Sequence, residues 1–287
     1  MLTLPLRTSV FGLSLFLIGA CGAQAPAGEG ATVPSSEAAA PAEPAAVESA
    51  PAAPVAAAPV VVDEKVRAAL DAADRDAADR ELDAGRHPAE LMSFLGIQPG
   101  MRVADLAAGG GYTTEVLART VGSTGKVYGQ NSKFIVEKFA EKPWSARLKK
   151  PIMANVERVD AEFESPLPSA KDLDAVMMVL FYHDTVWLNI DRPAMNKAVY
   201  AALKPGGVFV VVDHAAKAGD GVKEAGTLHR IEESLVTSEV EAAGFKLAAS
   251  GDFLRNPDDA KDWNASPMQA AERRGKSDRF VLKFVKP

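Results

Sequence analysis

The chain is poor in the residue that staples small secreted folds. Cys21 is its only cysteine, so it closes no disulfide within itself. It also lacks the roughly 20 apolar residues in a row that a bilayer-spanning helix needs; the stretch Val10 to Ala20 is about half that length. Positive charge is not in excess. Against 38 Asp and Glu stand 32 Lys and Arg, a net charge of −6, which does not favour nucleic acid or an anionic membrane surface as partner. Two phosphate-binding patterns are missing as well. Gly125-Lys126-Val127 does not complete G-x-x-x-x-G-K-[ST], and the three glycine places of G-x-G-x-x-G hold Ala107, Gly109 and Tyr112. No internal repeat is present.

What is there divides the chain into three parts. Residues 1–21 carry one charge, Arg7, then the short apolar run, then Leu17-Ile18-Gly19-Ala20-Cys21. The run has the size of a signal-peptide core. Small residues ahead of a lone cysteine resemble the bacterial lipobox, in which that cysteine is lipidated. The resemblance implies a lipid anchor at Cys21 in a bacterial cell envelope. Gly22, where aspartate would retain the protein at the inner membrane, implies the outer membrane, facing the periplasm. A plain secretory signal is the other reading. Residues 22–62 are almost all Ala, Pro, Glu, Ser, Val and Gly, with too little to bury against the entropy of ordering, and read as a disordered tether. Residues 63–287 are long enough for one α/β domain with a full core.

Within that domain, Val66, Leu70, Ala73, Ala77 and Leu82 predict an amphipathic helix over 63–85, and a second helix runs from Ala89 to Leu95, stopped by Gly96. Strand patterns fall at Val103–Leu106, Gly125–Gln130, Ile152–Val159, Leu173–Phe181, Val208–Val212, Phe245–Ala249 and Arg279–Val285. Helical patterns lie between them: from Tyr112, over Phe134–Phe139, up to Leu203, and over Leu228–Ala243. The unbroken apolar run at Leu173 marks a strand buried on both faces of a parallel sheet. The alternation predicts a doubly wound, mostly parallel, seven-stranded sheet.

The most informative stretch is Met101 to Tyr112. A short apolar strand ends in Asp105-Leu106-Ala107-Ala108, breaks into Gly109-Gly110-Gly111, and turns into a helix at Tyr112. Glycine suits a turn that needs positive φ or close approach of a ligand to the backbone. The helix start behind it presents free N–H groups and a positive dipole end. A carboxylate at Asp105 would repel a pyrophosphate but can hold a cationic or hydroxyl-rich ligand. A tight turn with no ligand is the plainer alternative.

Asp105, Ala107, Gly109 and Gly111 resemble motif I, D-x-G-x-G-x-G, of the class I S-adenosylmethionine-dependent methyltransferases, with alanine in the first glycine place. The resemblance implies that these four residues bind S-adenosyl-L-methionine. It also implies that Gln130 and Asn131, in the place of the usual acid, reach the ribose hydroxyls, and that Asp160 takes the adenine amino group. His183-Asp184 sits where small-molecule O-methyltransferases carry a His-Asp pair, the histidine acting as base on the acceptor hydroxyl. A second reading makes Asp184, Asp213 and His214 ligands of a divalent metal, as in the catechol-type enzymes. A third makes the histidine structural. His229-Arg230 could lid the site, and the polar loop around Leu254–Pro267 could cap it. Two functions follow. One is methyl transfer to a small hydroxylated acceptor by a lipid-anchored enzyme. The other is a binding protein with a changed ligand on the same fold, which Ala107 and Gln130-Asn131 favour.

Overall fold

The structure is a computed structural model and describes residues 60–287, so Cys21, the lipobox and most of the Ala/Pro-rich tether lie outside the described residues. Seven strands form one sheet: β1 (Arg102–Leu106), β2 (Lys126–Asn131), β3 (Val156–Asp160), β4 (Leu173–Val179), β5 (Leu203–His214), β6 (Lys246–Gly251) and β7 (Arg279–Val285). Their order is β3-β2-β1-β4-β5-β7-β6. Every pair is parallel except those made by β7, which runs antiparallel between β5 and β6. The predicted doubly wound, seven-stranded sheet is therefore the observed one.

The strand order reverses between β1 and β4. Walking β1 to β3 moves one way across the sheet and walking β4 to β5 moves the other, so right-handed crossovers place their helices on opposite faces. On the first face lies α4 (Tyr112–Val121), with α1 (Glu64–Asp71) and α3 (Pro88–Leu95) packed against it. On the second lie α8 (Arg192–Ala202) and α9 (Glu233–Ala242). The centre of the sheet is dry. Val103, Ala104 and Leu106 of β1, and Val176, Met177 and Met178 of β4, are all buried.

Several helices are shorter than periodicity predicts, each for a local reason. The helix expected over 63–85 is two, α1 and α2 (Ala77–Arg86). Arg75 closes the corner between them, donating to the Leu70 carbonyl at 3.0 Å and to both oxygens of Asp83 at 2.6 and 2.8 Å. The helix ending near Leu203 is split into α7 (Asp184–Trp187) and α8, because Asp191 caps α8 by accepting from the Ala194 N–H. The helix expected from Leu228 begins only at Glu233, since Ile231 bridges to Ala215 beside the sheet. After β2 the expected helix is a short α5 (Lys133–Ile135), a π-turn at Val136–Ala140 and α6 (Glu141–Arg147). The third strand starts at Val156, as Pro151–Met153 forms a 3₁₀ turn.

The helix after β2 supplies Trp144, which is fully buried. Its ring occupies a slot that exists because two glycines flank it: a Cβ on Gly129 would come within 2.7 Å of the ring, and one on Gly111 would overlap it. Gly111 also needs its left-handed backbone, φ 84°, as the residue that starts α4. Gly96, with φ 78° at the end of α3, has the same backbone need but no neighbour within 4 Å of a would-be Cβ. This pair separates strain from packing. Gly96→Ala should cost about 1 kcal/mol, from backbone strain alone. Gly111→Ala should add overpacking of about 1–3 kcal/mol to that. Chemical denaturation of the two variants checks the difference; equal losses would show that Trp144 does not fill the slot.

Candidate functional site

In an open parallel sheet, the crevice at the carboxyl ends of the strands, where the order reverses, is the natural ligand position. Here that crevice lies between the ends of β1 and β4. The loop after β1 forms one wall. Ala107, Gly109 and Gly111 all take positive φ, at 56°, 56° and 84°. Ala107 adopts a conformation that its Cβ disfavours by about 1–2 kcal/mol, so the surroundings must impose it. They do so from β2. Gln130 Oε1 accepts the Ala107 N–H at 3.1 Å, and its amide donates to the Ala161 carbonyl at 2.6 Å. Asn131 grips Gly109 on both sides, accepting its N–H at 2.8 Å and donating to its carbonyl at 3.2 Å. Both amides are fully buried. They hold the loop, a role that their place at a strand end did not suggest. Arg147 adds a third tie, donating to the Gly110 carbonyl at 2.7 Å.

The crest of this loop is open. Among the described residues, a Cβ at Gly109 would meet only the Ala107 carbonyl, at 4.0 Å, so space remains there for a ligand to approach the backbone. Beneath the loop, Asp105 is buried and accepts from the Thr114 hydroxyl at 2.6 Å. Burial pushes its carboxyl up to about 7, against the pull of Thr114 and of the Arg86 cation. Arg86 lies over the Tyr112 ring, 4.4 Å from its centroid, and forms no ion pair among the described residues. With Tyr112, Thr113 and Val179 it lines a small recess between the helix start and the end of β4. Asp160, at the end of β3, is exposed, and both its oxygens take the Arg158 Nε–H at 2.9 Å.

On the other side of the crevice, β4 and β5 bring together groups that the sequence separates. The His183 ring is buried. Asp213, at the end of β5, accepts both the His183 backbone N–H and the Nδ1 side of its ring, each at 2.7 Å. The other ring nitrogen, Nε2, lies 3.1 Å from Asp184 Oδ1 and 3.1 Å from His229 Nδ1. Burial opposes charge on His183, but Asp213 and Asp184 outweigh it and push the imidazole up to about 10. Asp184 is pulled well below the usual carboxylate range: its burial is overcome by His183, His229 and Trp187. Both carboxylates thus favour the protonated imidazole, and a base at His183 would work against them.

The metal set read from the sequence, Asp184, Asp213 and His214, is not assembled. His214 turns to Ser277, 2.7 Å from its Oγ, and burial holds that imidazole well below its ordinary pKa. His229 takes the place at the cluster instead. The sequence singled out His229 but gave no partner for it; its left-handed φ of 53°, in the segment between β5 and α9, is what delivers the ring. Arg230, beside it, is fully buried on Asp259 at 2.8 Å and roofed by Trp263, 4.9 Å away, so the Leu254–Pro267 loop anchors this segment from behind. Phe134 and Trp187, both partly exposed, meet edge to face at 6.2 Å across the ends of β2 and β4.

Comparison with known proteins agrees with this architecture. Residues 71–156 match the protein-L-isoaspartate(D-aspartate) O-methyltransferase family. A methyltransferase from Aquifex aeolicus, described as dependent on S-adenosylmethionine, superposes with a TM-score of 0.51 at 19% identity, over 75% of this chain and all of that one. A candidate sarcosine dimethylglycine methyltransferase from Galdieria sulphuraria gives 0.51 at 16% identity, over 79% and 91% of the two chains. A candidate methyltransferase in complex with the Haloferax volcanii Trm112 methyltransferase activator gives 0.50 at 20%, over 79% and 99%. The chain carries the class I S-adenosylmethionine-dependent methyltransferase fold.

The Asp105 shift has a measurable sign. A carboxyl whose pKa is higher folded than unfolded costs stability wherever it is ionised. The cost is absent below pH 4, grows between pH 4 and 7, and is constant above, at a limit of about 4 kcal/mol. Asp105→Asn should therefore gain stability relative to wild type as pH rises from 4 to 7. Urea unfolding of both proteins across that range checks this; a pH-independent difference would contradict it.

Proposed function

We propose that the protein transfers a methyl group from S-adenosyl-L-methionine to a small hydroxylated acceptor. The observation that carries the proposal is the juxtaposition at one crevice of an open glycine crest over a buried carboxylate and, across β4, a polar cluster of His183, Asp184 and His229. The residues suit that cofactor. Gly109 gives its backbone room, Arg86 offers a cation to the methionine carboxylate, and Asp160 stands at the rim for the adenine amino group. The sulfonium supplies an already activated methyl group, so the protein's share is chiefly orientation and exclusion of water. Asp184 and His229 are the exposed edge of the cluster and meet the acceptor hydroxyl, with His183 fixing them from behind. Phe134 and Trp187 bound the acceptor side.

A changed-ligand binding protein is the second reading, favoured by Gln130 and Asn131 being spent on the loop. Calorimetric titration with S-adenosylhomocysteine separates the two. Wild type should bind at micromolar concentration, and Gly109→Val should weaken binding about 100-fold or more, since the side chain fills the crest where a charge-assisted contact would form. Absence of binding by wild type at millimolar ligand would leave the second reading.

The anchor belongs to the same proposal: Cys21 carries lipid and holds the domain at the cell envelope, as the lipobox resemblance supports. Wild type should incorporate labelled palmitate and Cys21→Ser should not. An unlabelled wild type would overturn the anchor while leaving methyl transfer standing.

A further inference from the structure

The geometry points to a divalent transition-metal site made by His183 Nε2, Asp184 Oδ1 and His229 Nδ1. These three atoms are mutually separated by 3.1, 3.1 and 3.2 Å, an almost equilateral triangle. Ligand atoms about 2.0–2.2 Å from one cation, at roughly 90–100° to one another, lie about 2.8–3.4 Å apart. The triangle is thus one face of a coordination polyhedron, and two imidazoles with one carboxylate form the facial set that suits first-row divalent ions. Magnesium and calcium, which favour all-oxygen shells, suit it poorly.

The surroundings are built as a metal site needs. A ligating imidazole ordinarily gives its second ring nitrogen to a carboxylate or carbonyl, which fixes the ring and strengthens the donor. Asp213 does this for His183 at 2.7 Å, and its other oxygen holds the His183 backbone N–H, so the ring cannot turn away. The Trp187 indole N–H holds Asp184 Oδ1 at 2.7 Å. His229 arrives on a left-handed residue whose strain the fold sustains. The Asp184 and His229 side chains retain 17% and 24% exposure, so the opposite half of the coordination sphere faces outward for water or an oxygen donor. Asp184 and His229 are also the residues that face the acceptor in the proposed methyl transfer, so an ion held there would stand between them and the acceptor hydroxyl.

The test is metal binding itself, read on the full chain after chelator treatment. Co²⁺ is the probe, followed by its visible d–d absorption and by calorimetry, with Zn²⁺ as competitor. One equivalent should bind at micromolar concentration or below and be displaced by Zn²⁺. His229→Ala, in a partly exposed segment, should keep the wild-type melting temperature and lose affinity about 100-fold. Asp213→Asn, removing only the hold on His183, should weaken binding by roughly 10–100-fold. His214→Ala, outside the triangle, should bind as wild type does. No binding at 100-fold the protein concentration, or wild-type affinity in His229→Ala, would overturn the site. Because the readout involves neither S-adenosylhomocysteine nor turnover, its failure leaves the methyl-transfer proposal untouched, and the reverse holds.

Discussion

The grip of Asn131 on Gly109 sets the geometry on which the rest of the crevice depends. A glycine-rich turn left to itself is a loose object, because glycine loses the most conformational freedom on ordering. Here the amide of the last residue of β2 takes both backbone groups of Gly109, and Gln130 takes the N–H of Ala107. Since β2 lies beside β1 in register, with Gln130 opposite Leu106, those side chains are themselves fixed by the sheet. Trp144, seated beside Gly111 and Gly129, keeps the helix start from sliding. The loop is therefore preorganised, at the cost of a left-handed alanine and of a buried Trp144 N–H that finds no partner among the described residues.

A second constraint ties this loop to the helices that precede the sheet. Glu115, one turn into α4, is almost wholly buried, and receives Arg119, Arg147 and Lys150. Burial alone would raise its pKa, but the three cations overcome it and lower it. Arg147 also reaches Asp79 on α2, and Arg119 reaches Asp74. A buried charge cluster of this kind contributes little net stability, since its desolvation offsets much of the attraction. Its value is directional. It fixes where α2 lies, and with it Arg86, beside the recess at the end of β4.

How much of this was legible in the sequence depended on how local each signal is. The run Leu173–Val179 and the alternation of strand and helix specified a parallel sheet, because burial on both faces writes itself as continuous apolar sequence. Asp105-Leu106-Ala107-Ala108-Gly109-Gly110-Gly111 marked the loop, since positive φ is a local demand. Helix ends were misplaced where a polar side chain in the turn decided them, as Arg75 does by closing the corner between α1 and α2, because apolar periodicity does not register it. The grip of Gln130 and Asn131 on the loop was not legible, since a polar residue at a strand end looks alike whether it faces a ligand or a neighbouring loop. The His183–Asp184–His229 triangle was out of reach, since His229 stands 46 residues from His183 and no spacing rule joins them. A histidine held at positive φ, where glycine would be the ordinary choice, leaves no mark in sequence.

The central claim is that the preorganised crest at Gly109, rather than any other part of the surface, is where the cofactor lies. Glycine-selective ¹⁵N labelling reads it directly, with spectra recorded before and after S-adenosylhomocysteine. The account predicts that the Gly109 and Gly110 amides shift on binding while that of Gly206, near the start of β5 and so at the opposite end of the sheet from the crest, stays in place. Binding that leaves Gly109 and Gly110 unmoved would contradict it.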